Sequence, residues 1–405
     1  MYKVNVNLKD IQRAREVLRN VVYPTHLIPS KKISSLSDNE IFLKPENLQK
    51  TGSFKVRGAY NKIASLTQEQ KAKGVLASSA GNHAQGVALG ACAYGISSTI
   101  VMPLGAPVAK VSATQSYGAK VILHGSVYDE AYEKALEIQR ETGATFLHPF
   151  NDPHVIAGQG TIGLEILDEL EDVDAIIVPI GGGGLISGIA IAVKSIRPEV
   201  KIIGVEPENA DSMKVSIEKG KVSTLKFCGS IADGIAVKTP GELTYPIVKD
   251  YVDDIITVSE EEIASAILTL MEDEKMVVEG SGAASVAAII TKKINMEGKK
   301  VVAMISGGNI DMNMVANIID NELLKKGRMT EIKVSLTDKP GNLRFLLELI
   351  AQTKANVFTI HQTNLRPYLA IGMQEVSIVL ETKNHEHIAQ IYERLKENGY
   401  KIIED

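Results

Sequence analysis

The sequence holds 405 residues, 44% of them hydrophobic and 23% charged, with a formal net charge of −5 and two cysteines. That length exceeds what one hydrophobic core usually supports, so two or three domains are expected, and the balanced composition excludes a fibrous or disordered chain. The small negative charge, the lack of any Lys/Arg run, and the lack of an apolar stretch near the roughly 20 residues of a spanning helix exclude nucleic acid and membrane as expected partners.

The amino-terminal Met1-Tyr2-Lys3-Val4-Asn5-Val6-Asn7 has no apolar signal core, and Cys92 and Cys228 lie far apart without metal-type spacing. Reduced thiols in the cytoplasm are therefore expected. From Ile41 to about Val258, short β-branched runs alternate with longer amphipathic segments, the pattern of strand–helix units feeding a parallel sheet. Strands are predicted at residues 75–77, 99–102, 120–123, 175–179 and 201–205. Helices are predicted at 83–94, 108–117, 127–142 and 158–170, each long enough to cross back over a sheet. A further strand at 301–305 and a helix at 311–324 precede the polar segment Lys325-Lys326-Gly327-Arg328. The rhythm then changes to strand 331–336, helix 341–354, strands 356–362 and 374–380, helix 386–398 and strand 401–403. That is a β-α-β-β-α-β unit of ferredoxin-like size. The fold class is α/β, with a small separate domain at the carboxyl end.

Three clusters stand at strand ends, where ligands collect in open α/β sheets. Lys50-Thr51-Gly52-Ser53-Phe54-Lys55-Val56-Arg57-Gly58 precedes a helix running to about Ser65. A lysine at a helix start is disfavoured by the dipole, and partial burial would leave it a neutral amine able to form an imine. Taken alone, such a lysine is usually a solvated surface charge. In Ala77-Ser78-Ser79-Ala80-Gly81-Asn82-His83-Ala84-Gln85-Gly86, successive backbone N–H groups and the Ser79 hydroxyl could nest a carboxylate, and Asn82 could bond a phenolic oxygen. The bland alternative is a capped helix start, with His83 as readily structural as catalytic.

The third cluster, Pro179-Ile180-Gly181-Gly182-Gly183-Gly184-Leu185, follows a strand and opens a helix. Four glycines let N–H groups converge on an anion, and the helix start adds positive charge, so a phosphate fits there better than a flexible linker does. Dinucleotide binding is the rival, because Gly182-x-Gly184-x-x-Ser187 with Glu206 at the next strand end approximates that fingerprint. It leaves the lysine and serine clusters without a shared purpose.

Together with Ile305-Ser306-Gly307-Gly308-Asn309, these clusters stand in the order seen in fold-type II pyridoxal-phosphate (PLP) enzymes of the tryptophan-synthase β superfamily. Residues 10–320 closely resemble its threonine ammonia-lyase (threonine dehydratase) family. The resemblance implies two open α/β sheet subdomains within residues 1–325, the smaller, at about 50–150, inserted in the larger. It implies Lys55 as the Schiff-base lysine, Phe54 packed beside the cofactor, and Asn82 on the PLP phenolic oxygen. Gly181, Gly182, Gly183, Gly184 and Leu185 would cradle the phosphate, Ser306 would bond the pyridine nitrogen, and Ser79, Ala80, Gly81, Asn82 and His83 would receive the substrate carboxylate. A neutral partner such as Ser306 leaves the ring a weaker electron sink, which suits elimination over transamination. The implied reaction is β-elimination from L-threonine to 2-oxobutanoate and ammonia, and from L-serine to pyruvate.

Serine and threonine racemases are the rival within the same fold. They carry a serine directly after the position matching Ser79, whereas an Ala80 methyl cannot move a proton. Their cation site is matched by Glu206 and the Ala210 carbonyl, but Ser212 stands where a second acidic ligand would be. After a linker at 326–330, residues 331–405 resemble an ACT regulatory domain, with Asp338-Lys339-Pro340-Gly341-Asn342-Leu343 as its effector loop and Asn342 and Leu343 as candidate effector contacts. The resemblance implies an amino-acid effector and a homo-oligomer, dimer or tetramer.

Overall fold

The computed structural model describes residues 6–403. The first five residues of the amino-terminal stretch, and the last two of the chain, lie outside the described residues. The chain forms two compact units, one ending at Asp311 and the other beginning at Met312.

In the first unit the chain starts one sheet, leaves it to build another, and returns. β1 (Ile28–Ser30) pairs antiparallel with β2 (Glu40–Pro45). β3 (Val75–Ser78), β4 (Ser98–Met102), β5 (Lys120–Leu123) and β6 (Thr145–Phe146) then form a separate parallel sheet in the order β5-β4-β3-β6. β7 (Ala175–Pro179), β8 (Lys201–Pro207), β9 (Asp254–Val258) and β10 (Lys300–Ile305) complete the first sheet in the order β1-β2-β10-β7-β8-β9. Apart from β1, its strands are parallel.

Helices cover both faces, which is why β3 and β7 are buried along their whole length and read as unbroken apolar runs. One core lies on the larger sheet, where Ile176, Val178, Val302 and Met304 meet Ile162, Ile186 and Ile189. Another lies on the smaller sheet, where Val75, Ala77, Ile100 and Met102 meet Ala59, Ile63, Ala84 and Val87.

Strands expected at 120–123 and 175–179 stand at those bounds. The helix expected to begin at residue 158 begins at Pro153 and runs to Glu169. Asp152 accepts the N–H groups of His154 and Val155 at 2.8 and 3.2 Å, and Pro153 suits a first helical turn, so the true start signal lay upstream of the apolar pattern. Helix Gly280–Ile290 escaped the sequence reading because it is small or apolar on every side and buried up to Ile289, which erases the period of 3.6.

The second unit opens with helix Met312–Lys325. β11 (Met329–Thr337), β12 (Asn356–Thr363), β13 (Met373–Glu381) and β14 (Lys401–Ile403) form an antiparallel sheet in the order β12-β13-β11-β14. β11 starts two residues before the expected position because Met329 and Thr330 already pair with Glu381 and Leu380. Helices Asn342–Gln352 and His385–Glu397 bring Leu346, Ile350, Ile391 and Leu395 onto Ile332, Val334, Val376 and Ile378. The β-α-β-β-α-β order and the α/β class are as expected. Among the described residues, no helix is long and apolar enough to cross a membrane.

Candidate active site

Lys55 is the first residue of helix Lys55–Ala64, which places its amine where backbone N–H groups already carry positive charge. That helix is held from behind. Gly58 and Gly158 let it cross helix Pro153–Glu169 so closely that a Cβ on Gly158 would stand 2.7 Å from Gly58 Cα. Two residues along, the fully buried Arg57 donates to Glu46 at 2.7 and 2.8 Å and to Glu165 at 2.5 and 2.9 Å. Glu165 also accepts from buried Lys44 at 2.7 Å. Burial opposes the Arg57 charge, but Glu46 and Glu165 outweigh it and hold the guanidinium pKa above its ordinary value. Strand end, 3-10 turn and two helices are thereby tied together directly beneath Lys55.

The Lys55 side chain reaches a cavity of about 920 Å³ between the two sheets of the first unit. Its Nζ donates to the Pro149 carbonyl at 3.3 Å and lies 5.1 Å from the Phe54 ring centroid. Desolvation lowers its pKa to about 8, with the Glu279 carboxylate pulling the other way. Near neutrality a useful share of this amine is therefore uncharged.

The glycine turn lines the same cavity. A Cβ on Gly182 would fall 2.3 Å from the Phe150 ring, one on Gly184 2.8 Å from Phe150 Cβ, and one on Gly181 2.9 Å from Ile235 Cα. Gly183 has φ +91°, a left-handed conformation open to glycine. The Gly182 carbonyl is anchored by the Thr244 hydroxyl at 2.6 Å and the Gly241 N–H at 3.2 Å. Helix Gly184–Ile196 then begins with no side-chain cap, so its first N–H groups are left for an anion.

Ser79, Ala80, Gly81, Asn82 and His83 form a further stretch of wall, between β3 and helix Asn82–Ala93. The Ser79 hydroxyl accepts the Gly81 N–H at 3.3 Å, which bends the turn. His83 is buried, with Nε2 2.8 Å from the Leu147 carbonyl, and desolvation together with Lys55 drives its pKa down to about 3. It is a neutral ring held by the backbone. Ser306, at the end of β10, is buried on the same cavity, and its carbonyl accepts the Phe54 N–H at 3.1 Å.

Sequence reasoning missed Glu279, which also lines the cavity. Its Oε1 accepts from Asn82 Nδ2 at 2.7 Å and from the Ser281 hydroxyl at 3.0 Å. Burial, aided by nearby Asp233, raises its pKa to about 7, against the Ser281 and Asn82 hydrogen bonds and Lys110. The signal was available, since Glu279 is the one charge in the apolar stretch Met276-Val277-Val278-Glu279-Gly280. Also missed was His148, whose Nδ1 accepts the N–H groups of Phe150 and Asn151 at 3.3 and 2.9 Å and shapes the loop under the glycine turn.

Other candidate residues are not among those that line this cavity. Glu206 is fully buried, and its two carboxylate oxygens accept the Met213 and Lys214 N–H groups at 2.9 Å each, at the start of helix Ser212–Lys219. Desolvation raises its pKa to about 8, and Ala210, four residues on, is buried as well. Among the described residues, no three His, Cys, Asp or Glu side chains group as metal ligands. Asn342 and Leu343 are in the second unit, where Asn342 Nδ2 donates to the Thr337 carbonyl and hydroxyl at 3.0 and 2.8 Å. A larger open cleft of about 1050 Å³ in the first unit is walled by charged side chains already paired with one another, such as Arg15 with Asp168 and Arg57 with Glu165. It holds no glycine turn.

An amine poised to lose its proton, a glycine turn too crowded for any Cβ and an uncapped helix start fit an aldehyde cofactor that carries a phosphate. Residues 18–307 match the family model described as pyridoxal-phosphate dependent enzyme. The chain is 52% identical over 397 residues to an L-threonine ammonia-lyase of Thermotoga maritima, covering 98% of this chain and 99% of that one. It is 49% identical over 319 residues to the catabolic L-threonine dehydratase of Escherichia coli, covering 78% of this chain and 97% of that one. The solved structure of maize serine racemase superposes with a TM-score of 0.74 at 38% identity, covering 79% of this chain and 98% of that one.

Proposed function

The chain belongs to the pyridoxal-phosphate-dependent enzymes and, among them, to the threonine ammonia-lyase family, and from that premise we propose that it converts L-threonine to 2-oxobutanoate and ammonia by β-elimination. The observation that carries this reading is the meeting of the Lys55 amine and the glycine turn in one cavity. Full-length identity of 52% to a lyase, against 38% to a racemase structure, favours elimination over isomerisation.

Pyridoxal phosphate, when bound, supplies an aldehyde that joins an amine and a ring that draws electrons from the bonds at Cα. Lys55 Nζ holds that group and, as a neutral amine, takes the substrate Cα proton. Phe54 packs beside it. The N–H groups from Gly181 to Leu185 hold the phosphate, Asn82 donates to the phenolic oxygen, and Ser306 bonds the ring nitrogen. The turn from Ser79 to His83 receives the substrate carboxylate. The β-hydroxyl leaves as water, and hydrolysis of the released enamine gives the 2-oxo acid and ammonia. L-serine gives pyruvate by the same steps.

The second unit is the regulatory part of this reading, with Asn342 and Leu343 at an amino-acid effector site, in a cytoplasmic homo-oligomer of two or four chains. The two free cysteines suit a reducing compartment.

The test is a visible spectrum of the purified protein with and without L-threonine, followed by assay of 2-oxobutanoate. Wild type should show a visible band that threonine perturbs. Lys55→Ala should lack it and lose at least about 10³-fold in turnover. A colourless wild type that takes up no pyridoxal phosphate overturns the reading.

A further inference from the structure

Asn82 is held at both ends of its amide. Its Oδ1 accepts from Asn309 Nδ2 at 2.7 Å, and its Nδ2 donates to Glu279 Oε1 at 2.7 Å. Asn309 spends its other N–H on the Thr51 carbonyl at 2.8 Å. The row therefore starts at a group that can only accept, the Thr51 carbonyl, and its polarity follows from that end. Asn309 must turn its NH₂ toward Thr51 and Asn82, and Asn82 must turn its oxygen to Asn309 and its NH₂ to Glu279. One Asn82 N–H remains for the cavity.

Glu279 is itself placed with little freedom. Its N–H donates to the Gly307 carbonyl at 3.1 Å, and a Cβ on Gly307 would stand 2.4 Å from Glu279 Oε1. Ser281 donates to the same oxygen at 3.0 Å. Gly234 closes another side, since its Cβ would meet Ser281 Oγ at 2.6 Å and Glu279 Oε1 at 3.6 Å. The Glu279 carboxylate is thus packed closely against Gly307 and the Ser281 hydroxyl while it holds Asn82.

We propose that Glu279 is a positioning residue that, with Asn309, fixes the Asn82 amide with an N–H presented to the cofactor's phenolic oxygen. Without an acceptor at position 279 only the Asn309 N–H still opposes a turned-over Asn82 amide, which would present a carbonyl oxygen that repels a phenolate. A glutamine there keeps the device, because its amide oxygen can still accept. The inference rests on the function proposed above.

The experiment measures the dissociation constant of pyridoxal phosphate from cofactor-free protein, and the visible spectrum of the complex. Glu279→Ala should weaken binding about tenfold or more, equivalent to about 1.4 kcal/mol, while Glu279→Gln stays within about threefold of wild type. In an Asn82→Ala background Glu279→Ala should add less than about twofold, the coupling expected of one shared device. Glu279→Met, close in volume, carries the same test if the alanine variant fails to fold. Three results overturn the proposal: Glu279→Ala or Met binding like wild type, an equal loss with and without the Asn82 side chain, or Glu279→Gln as weak as alanine. Wild type without a Lys55-dependent visible band would instead overturn the function on which the inference rests.

Discussion

At the scale of single residues, burial decides what Lys55 can do. Its amine would titrate near 10.5 in solvent, and desolvation brings it to about 8. The neutral form captures an aldehyde, and its fraction grows as pH rises toward that value. Cofactor-free protein mixed with pyridoxal phosphate should therefore develop its visible band about tenfold faster per pH unit below 8 and level off above, as stopped-flow absorbance would show. A rate independent of pH between about 6 and 8 would mean that the amine is not titrating there. Gly182 is the second such residue. An alanine methyl would meet the Phe150 ring at 2.3 Å, so Gly182→Ala should cost about 1–3 kcal/mol in denaturant unfolding and weaken phosphate-dependent cofactor uptake. The reason to suspect both positions was legible in the sequence, because lysine at a helix start and glycine in a run each break a local preference. Glu279 gave the weaker signal of a lone charge in an apolar stretch, and its role comes from Asn82, 197 positions away.

At the scale of elements, the helix carrying Lys55 is kept in place by a buried ionic group that its own sequence does not reveal. Arg57 is fully buried, and both acids that pair with it, Glu46 and Glu165, lie outside that helix. Removing Arg57 leaves Glu46 buried without its partner. Arg57→Met should thus destabilise the first unit by about 3–5 kcal/mol, measured by denaturant unfolding, well beyond the value of a surface ion pair. A loss under about 1 kcal/mol would show that water compensates Glu46. The cap of helix Pro153–Glu169 is a milder case. Asp152→Ala removes the acceptor for two N–H groups and should cost about 1 kcal/mol, with faster amide exchange at His154 and Val155. Elements with a clear period were read close to their true bounds. Helix Gly280–Ile290 was not, because a segment buried on all sides has no polar face to mark its period.

At the scale of the whole molecule, the Escherichia coli relative aligns over 78% of this chain yet 97% of its own, so a protein of that family stands without a counterpart of the second unit. Ending this chain before Met329 should accordingly leave threonine elimination within about threefold of the full enzyme while abolishing any response to amino-acid effectors. A folded truncation without elimination activity would show that the second unit is needed for catalysis. The sequence by itself determined the α/β class, the antiparallel tail, and the three clusters that meet at the cavity, because periodicity and glycine runs are local and follow from backbone sterics and hydrogen bonding. Only the tertiary structure decided that β10 inserts between β2 and β7, that a strand pair near the amino end shares its sheet with the last strand of the first unit, and that Glu279 and Asn309 close on Asn82. Those contacts join segments far apart in the chain, and their free energy comes from burying both partners together, which no window of the sequence contains.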